Sequence, residues 1–452
     1  MNSIGATILV GLGAVILLAP RKWALLALMA GVLYLTEQQA IEVLEINLTA
    51  LRFLEVAGLA RVFWRSESPI EGLNRLDRAV LLAYGYATAV FLVRSDTGYA
   101  QMLGWMVDST FCYFIFRAWL QRIEDLVWFL RAFVLLLVPY VGLLIVEMYA
   151  RENPFSILGA ETWSNELRAG RIRCMGSFKH PSLLGTLGVA LLPLYIALVL
   201  TNRKLTPAWA GIVLCVGIIL LSNSGGPVAA ALIGIAGWLL WVARTKMFVV
   251  RRIICGILLM LALAMEAPIW YIPARISAFT GGGGWHRSYL MDVAFSQLDK
   301  WWFAGMDRAE TVSWFPYLVE ATGAADITNA YLDFGLKSGL LAVALFVLLL
   351  VRAFQTIGQA LEGGRPSAMR RGGEYLLWGT GCALAVHIAN WFAITYFDQI
   401  YVVWCMQLAA VSSLSRAFEV KRRIRHRAAM PQVAAKEYRG AVSAARSAVD
   451  PW

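Results

Sequence analysis

Three groups of polar residues stand at the edges of apolar runs, and each could do chemistry. The first is RIRCMGSFKHPSLLG, with Arg171 and Arg173 ahead of Gly176 and with His180-Pro181 opening the next apolar run. Guanidinium groups grip phosphate oxygens in forked geometry and keep their charge, which suits a diphosphate at a wet interface. Proline suits a first helical turn. The second is WHRSYLMDVAFSQLDKWWFAG, where Arg287 falls near the start of a helix whose amide dipoles favour an anion, with His286 beside it. Trp285, Tyr289, Leu290, Val293, Leu298 and Trp301-Trp302 fit an amphipathic helix lying at a membrane interface. The third is DITNAYLDFGLKSGLL, in which Asp326, Thr328 and Asn329 stand where a loop becomes a helix, as capping residues do. Asp333 and Lys337, four apart, can pair on one face. Interfacial anchoring, a solvated histidine, caps and pairs are the plainer account of these same residues.

The elements that position these groups follow from composition. The 452 residues are 59% hydrophobic and 15% charged, against about 25% charged in soluble domains. Mean hydropathy is +0.63. This composition predicts an all-α polytopic membrane helix bundle. The net charge of +11 comes from 40 Lys and Arg against 29 Asp and Glu. In a membrane protein that excess reads as cytoplasmic loop charge, so no nucleic-acid partner follows. The six cysteines are scattered through apolar runs and set out neither a metal site nor a disulfide framework. Gly281–Gly284 reads as a loop hinge and Ser222–Pro227 as a turn between spans.

Apolar runs predict spans at about 4–19, 23–36, 43–63, 79–93, 98–116, 126–149, 182–200, 207–221, 227–242, 253–267, 329–351, 375–393 and 400–414, about twelve to thirteen in all. The 43–63 segment carries Glu45, Arg52 and Glu55; Arg52 and Glu55, three apart, could pair. The first run has Arg21-Lys22 after it and no basic residue before it, so it reads as a retained helix with its N-terminus outside. Alternate threading puts most Lys and Arg, and the basic tail 416–452, on the cytoplasmic side. It puts two loops opposite: 150–181, with Arg168, Arg171, Arg173 and Lys179, and 269–328, with Arg275, Arg287, Lys300 and Arg308. Cations on that side break the orientation rule, and an anionic ligand there is the simplest reason. The expected organisation is a transmembrane bundle at 1–268, a large external loop at 269–328 carrying amphipathic helices, further transmembrane helices at 329–415, and the tail. His387 and Asn390 in the penultimate span read as an interhelical polar pair.

Arg-x-x-Gly-Ser-Phe-x-His-Pro-Ser-x-x-Gly at Arg173–Gly185, Arg-x-Tyr at Arg287 with a Gly-containing turn at Gly305, and Asn-x-Tyr-Leu leading into Gly-Leu-Leu at 328–341 resemble, in order and spacing, the O-antigen ligase and polysaccharide polymerase superfamily. The resemblance covers about Arg171 to Leu350. It implies a GT-C-like glycosyltransferase of the bacterial inner membrane, multi-pass, with a periplasmic active face and a cytoplasmic C-terminus. Such an enzyme moves a glycan from an undecaprenyl-diphosphate-linked oligosaccharide to a glycan or lipid-core acceptor, with inversion and without metal, nucleotide sugar or other cofactor. Arg173 and Arg287 would then hold the diphosphate and stabilise its leaving charge. Arg171, His180, His286, Thr328, Asn329 and Tyr331 would line the substrate. Where ligases of the family carry a histidine before Asn-x-Tyr-Leu, this chain has Thr328, whose hydroxyl cannot act as a base near neutral pH. Asp326 or His286 would have to replace it, which points away from a lipopolysaccharide core ligase and toward a polymerase or another branch of the superfamily. A different class, a transporter or flippase for a lipid-linked or anionic substrate, is the alternative; two related halves with interrupted helices would mark it, and no such duplication stands out.

Overall fold

The computed structural model describes residues 1–43, 46–67, 72–95, 98–160, 167–168, 170–272, 274–275, 284–314, 325–361 and 368–415. The tail 416–452 and Gly281–Gly283 lie outside the described residues. Among the described residues fifteen α-helices make an all-α bundle. They are α1 (Ser3–Leu18), α2 (Arg21–Tyr34), α3 (Ala50–Trp64), α4 (Arg75–Arg94), α5 (Tyr99–Trp119), α6 (Ile123–Ala150), α7 (Pro181–Thr201) and α8 (Thr206–Ser222). Then come α9 (Gly225–Leu239), α10 (Met247–Ala264), α11 (Gly284–Ser296), α12 (Leu298–Trp301), α13 (Ala330–Leu361), α14 (Ala368–Asn390) and α15 (Tyr401–Ser415).

Among the described residues five helical stretches are long and apolar enough to cross a membrane: α4, α6, α7, the run Gly225–Ala264, and α13. α1, α8 and α15 are apolar but shorter. Most of the expected runs recur as helices, fewer of them long and apolar enough to span than the twelve to thirteen expected, and those at 227–242 and 253–267 are joined by a 3-10 segment, Leu240–Lys246, rather than by a loop. From Arg251 to Ala264 every residue of α10 is exposed, Leu259, Met260 and Leu263 among them. An apolar helix with no buried residue has hydrocarbon as its natural solvent.

α7 is the centre of the bundle, with almost all of its length buried. It packs on α8, α9 and α14, while α4 packs on α13 and α1 on α2 and α3. The small residues Gly185 and Gly188 let α7 approach its neighbours: a Cβ on Gly188 would come within 2.7 Å of the Cys215 carbonyl oxygen.

Two expected segments differ. The run at 43–63 is not one helix: Ala40–Val43 and Ile46–Thr49 form an antiparallel hairpin, Ile41 opposite Leu48, before α3 begins. Alternation of β-branched and polar residues favours a strand there. Arg52 does not pair with Glu55; its guanidinium forks onto Asp108 with both bonds at 2.8 Å, and Glu55 accepts from the Tyr401 hydroxyl at 2.7 Å. The helix expected from Asn329 is broken. Ser338 and Gly339 are non-helical, Gly339 with φ +80°, so the eight residues Ala330–Lys337 form a separate turn ahead of the apolar helix. The freed backbone groups are taken by the Trp302–Met306 loop: Met306 N donates to Leu336 O and Leu340 N to Trp302 O, both at 2.8 Å.

Candidate functional site

The Arg171 segment enters the bundle through a short antiparallel pair, Leu167–Arg168 with Arg171–Ile172, and Arg171 is exposed there. Two residues on, Arg173 turns inward and its Nη2 donates to the Ser224 hydroxyl in the α8–α9 turn, 3.1 Å away. The next three residues are held from below. Cys174 N donates to Leu221 O at 3.1 Å, and the buried Glu147 carboxylate accepts from Met175 N at 2.8 Å and Gly176 N at 2.9 Å. Gly176 adopts φ +59° against Tyr140, where a Cβ would sit 2.8 Å from Leu144 Cδ2. His180 caps α7, its Nδ1 accepting from Ser182 N at 3.1 Å, with Pro181 in the first turn as the sequence predicts. Its ring is thus committed to the helix end and stacks edgewise near Phe397.

The second group does not form one interfacial helix. α11 and α12 are separated at Gln297, and Leu290, Ala294 and Trp301 bury into a small core with Met306, Ile327, Leu332 and Leu336. Trp285 stays exposed and stacks on Tyr289 with ring centroids 5.0 Å apart, and Phe295 and Trp302 are exposed as well. Arg287 is the fourth residue of α11, and its Nε donates to the Ala393 carbonyl at 3.0 Å. The His286 ring hydrogen-bonds the backbone of Asp326, which joins the second group to the third. Burial, then the neighbouring Arg287 charge, lowers the His286 pKa below its usual value, so the ring is neutral at neutral pH.

In the third group Asn329, not Asp326 or Thr328, is the cap: its Oδ1 accepts from Tyr331 N at 3.0 Å and Leu332 N at 3.1 Å. Thr328 Oγ1 is buried with no hydrogen-bond partner among the described residues. The Tyr331 hydroxyl donates to Ile388 O at 3.2 Å, and its ring packs on Trp391 and Phe392. Asp333 and Lys337 pair at 2.6 Å, as their spacing suggests. Asn390 makes the interhelical contact expected of it, its Nδ2 donating to Thr186 Oγ1 of α7 at 2.6 Å, while His387 Nδ1 bonds the Tyr396 hydroxyl at 2.5 Å.

The element that gathers these groups is the connection from Trp391 to Asp398, between α14 and α15. Trp391 O accepts from Ala330 N at 3.0 Å, Ala393 O from Arg287, and Thr395 Oγ1 donates to Ile327 O at 2.6 Å. Asp398 Oδ2 accepts from Lys179 N at 3.1 Å, and Lys179 Nζ pairs with Glu37 at 3.0 Å. Burial pushes the Asp398 carboxyl up to about 7, opposed by the Ile400 N–H. One loop therefore touches all three sequence groups. Arg173 and Arg287 share this end of the bundle through a short relay: Arg173 to Ser224, then Gly226, whose Cβ position lies 3.1 Å from Ala393 Cβ, then Ala393 O to Arg287. The sequence reading ended one span at 393, opened the next at 400 and gave the connection between them no role. Its signal was local, the run WFAITYFDQ, too polar and aromatic for a lipid-facing loop tip. Among the described residues no group of three or more His, Cys, Asp or Glu side chains could hold a metal ion. No known family model, curated protein or solved structure matches this chain.

Proposed function

We propose that the chain is an inner-membrane, GT-C-like glycosyltransferase that polymerises or ligates undecaprenyl-diphosphate-linked glycans on the periplasmic face. The observation that carries this reading is the relay from Arg173 through Ser224, Gly226 and Ala393 to Arg287, which sets two guanidinium groups around one end of the bundle. Two forked, permanently charged donors beside a membrane surface fit a lipid diphosphate better than a single-charged headgroup. In the reaction an acceptor hydroxyl attacks the anomeric carbon from the face opposite the diphosphate. A new glycosidic bond forms, the bond from anomeric carbon to phosphate oxygen breaks, and the diphosphate leaves with its added charge held by Arg173 and Arg287. The hydroxyl proton passes to His286, which is kept neutral, or to the carboxylate of Asp326, whose backbone the His286 ring bonds. Arg171, His180, Thr328, Asn329 and Tyr331 border the acceptor side, His180 and Asn329 by fixing the two helix starts.

The transporter reading would use the break in α13, since interrupted helices mark transport sites. That break is occupied: Leu336 O and Leu340 N on its two sides are bonded to the Trp302–Met306 loop. The test is purified protein in nanodiscs with a lipid-diphosphate oligosaccharide. Arg173→Ala and Arg287→Ala each lower transfer about a hundredfold or more, the scale of losing a donor to a developing anion. Full transfer by both variants, or movement of substrate with no new glycosidic bond, would remove the proposal.

A further inference from the structure

We infer that the first turn of α9 and the side chain of Asn390 form the seat for the phosphate-linked sugar, an inference that rests on the function proposed above. Three observations converge. Ser224 is the residue before α9, yet it does not cap that helix. Its hydroxyl donates to Ser222 O at 3.0 Å and accepts from Arg173 at 3.1 Å. The cap residue is diverted to the guanidinium, so the Gly225 and Gly226 amides at the positive end of a fifteen-residue helix are left for another acceptor. Pro227 follows and supplies no N–H.

The second observation is Asn390. It is 1% exposed, its Nδ2 is used by Thr186, and its Oδ1 has no hydrogen-bond partner among the described residues. That oxygen lies 3.6 Å from where a Cβ on Gly226 would sit. A buried, unpaired amide carbonyl costs free energy unless something donates to it, and a sugar hydroxyl is such a donor. The third is Gly226 itself. A Cβ there would sit 3.1 Å from the Ala393 Cβ, so glycine keeps open the space between α9 and the loop whose carbonyl holds Arg287. Helix amides and two arginines on the phosphate oxygens, with one neutral acceptor beside them, match a diphosphate ester whose next group is hydroxylated.

Two probes separate the roles: a short polyprenyl diphosphate, and the same lipid carrying one hexose, each titrated against the full chain in nanodiscs. Gly226→Ala weakens both by about tenfold, because the methyl closes the seat and displaces Ala393. Asn390→Leu weakens the sugar-bearing probe about fivefold more than the bare diphosphate, the scale of one hydrogen bond. Thr186 Oγ1 keeps its bond to Ser182 O in that variant. Should Asn390→Leu lose thermal stability, Asn390→Asp keeps the shape and adds a negative charge, and weakens both probes. Wild-type affinity for both probes in Gly226→Ala and in the Asn390 variants, with Arg173→Ala impaired, overturns this inference and leaves the proposed function standing. Binding of neither probe by the wild type overturns both.

Discussion

Replacing Gly339 by alanine tests how the large loop is welded to the bundle. Gly339 sits at φ +80°, where an L side chain is strained by about 1–3 kcal/mol. A Cβ there would overlap the Phe303 carbonyl oxygen, lie 2.6 Å from Phe303 C and 2.9 Å from Trp302 O. These are backbone atoms, so no rotamer change relieves the contact and the Trp302–Met306 loop must move. Moving it releases Met306 N from Leu336 O and Leu340 N from Trp302 O, each worth about 1 kcal/mol. The expected destabilisation is therefore on the order of 3–5 kcal/mol. Gly358→Ala, further along the same helix, is the control: nothing lies within 4 Å of its Cβ position. There alanine stabilises by up to about 1 kcal/mol through helix propensity. Unfolding of both variants in detergent, followed with limited proteolysis at Trp302–Met306, reads the difference. Equal unfolding midpoints and equal protease resistance for the two variants would refute the docking described for α13. Because α11 and α12 lead into this loop, Gly339→Ala should also reduce transfer.

Glu147→Gln keeps the shape but faces two backbone donors with one carbonyl acceptor and one amide NH2 donor, so the Arg173 segment loosens by about 2 kcal/mol; hydrogen exchange at Met175 and Gly176 should rise and lipid-diphosphate affinity should fall. Burial raises Asp398 to about 7, so the folded protein binds more protons than the unfolded chain between pH about 4 and about 7. Its contribution to stability thus falls as pH rises through that window, and the pH dependence of the unfolding midpoint should flatten in Asp398→Asn. Removing the Thr395 hydroxyl with valine breaks its bond to Ile327 O and should lower transfer by severalfold with a stable fold, measured as turnover against melting temperature. The lowered His286 pKa keeps the ring neutral somewhat below pH 6.5, so the acidic limb of the rate profile should disappear in His286→Ala if His286 takes the proton.

Much of the bundle was legible because hydrophobic runs report burial in lipid or protein directly. The first motif was legible down to His180 as the residue ahead of Pro181, since helix starts have a local signature. The hairpin at Ala40–Thr49 was not, because its alternating apolar residues raise the same hydropathy average as a span. Likewise Ala330–Leu361 reads as one run; its break depends on Gly339 approaching a loop more than thirty residues earlier, which no local pattern encodes. The inward-packing face of α11 was misjudged for a related reason. An apolar stripe reports that something apolar covers it, and here Ile327, Leu332 and Leu336 do so instead of headgroups.

The Trp391–Asp398 connection can position other groups only if it is itself fixed, and the helices on either side supply that. α14 is pinned to α7 by Asn390 and Thr186, and α15 to α7 by Gln407 Nε2 on Ala190 O at 2.8 Å. The start of α15 is held again by Gln399 Nε2, 2.9 Å from Ser177 O, and by Tyr401 on the buried Glu55. Farther along, the Ser412 and Ser413 hydroxyls meet Asp77 and Arg117 of α4 and α5. Each bond crosses a packed interior where an unmade partner is costly, so small shifts of α15 break several at once. A loop slung between two helices so tied has little freedom, and its carbonyls at Trp391 and Ala393 are fixed acceptors for Ala330 and Arg287. Rigid supports of this kind place a charged group within a fraction of an ångström of its task, which loops alone do poorly. It follows that substitutions far from the arginines, at Gln399 or Gln407, should disturb Arg287 before they disturb the outer helices.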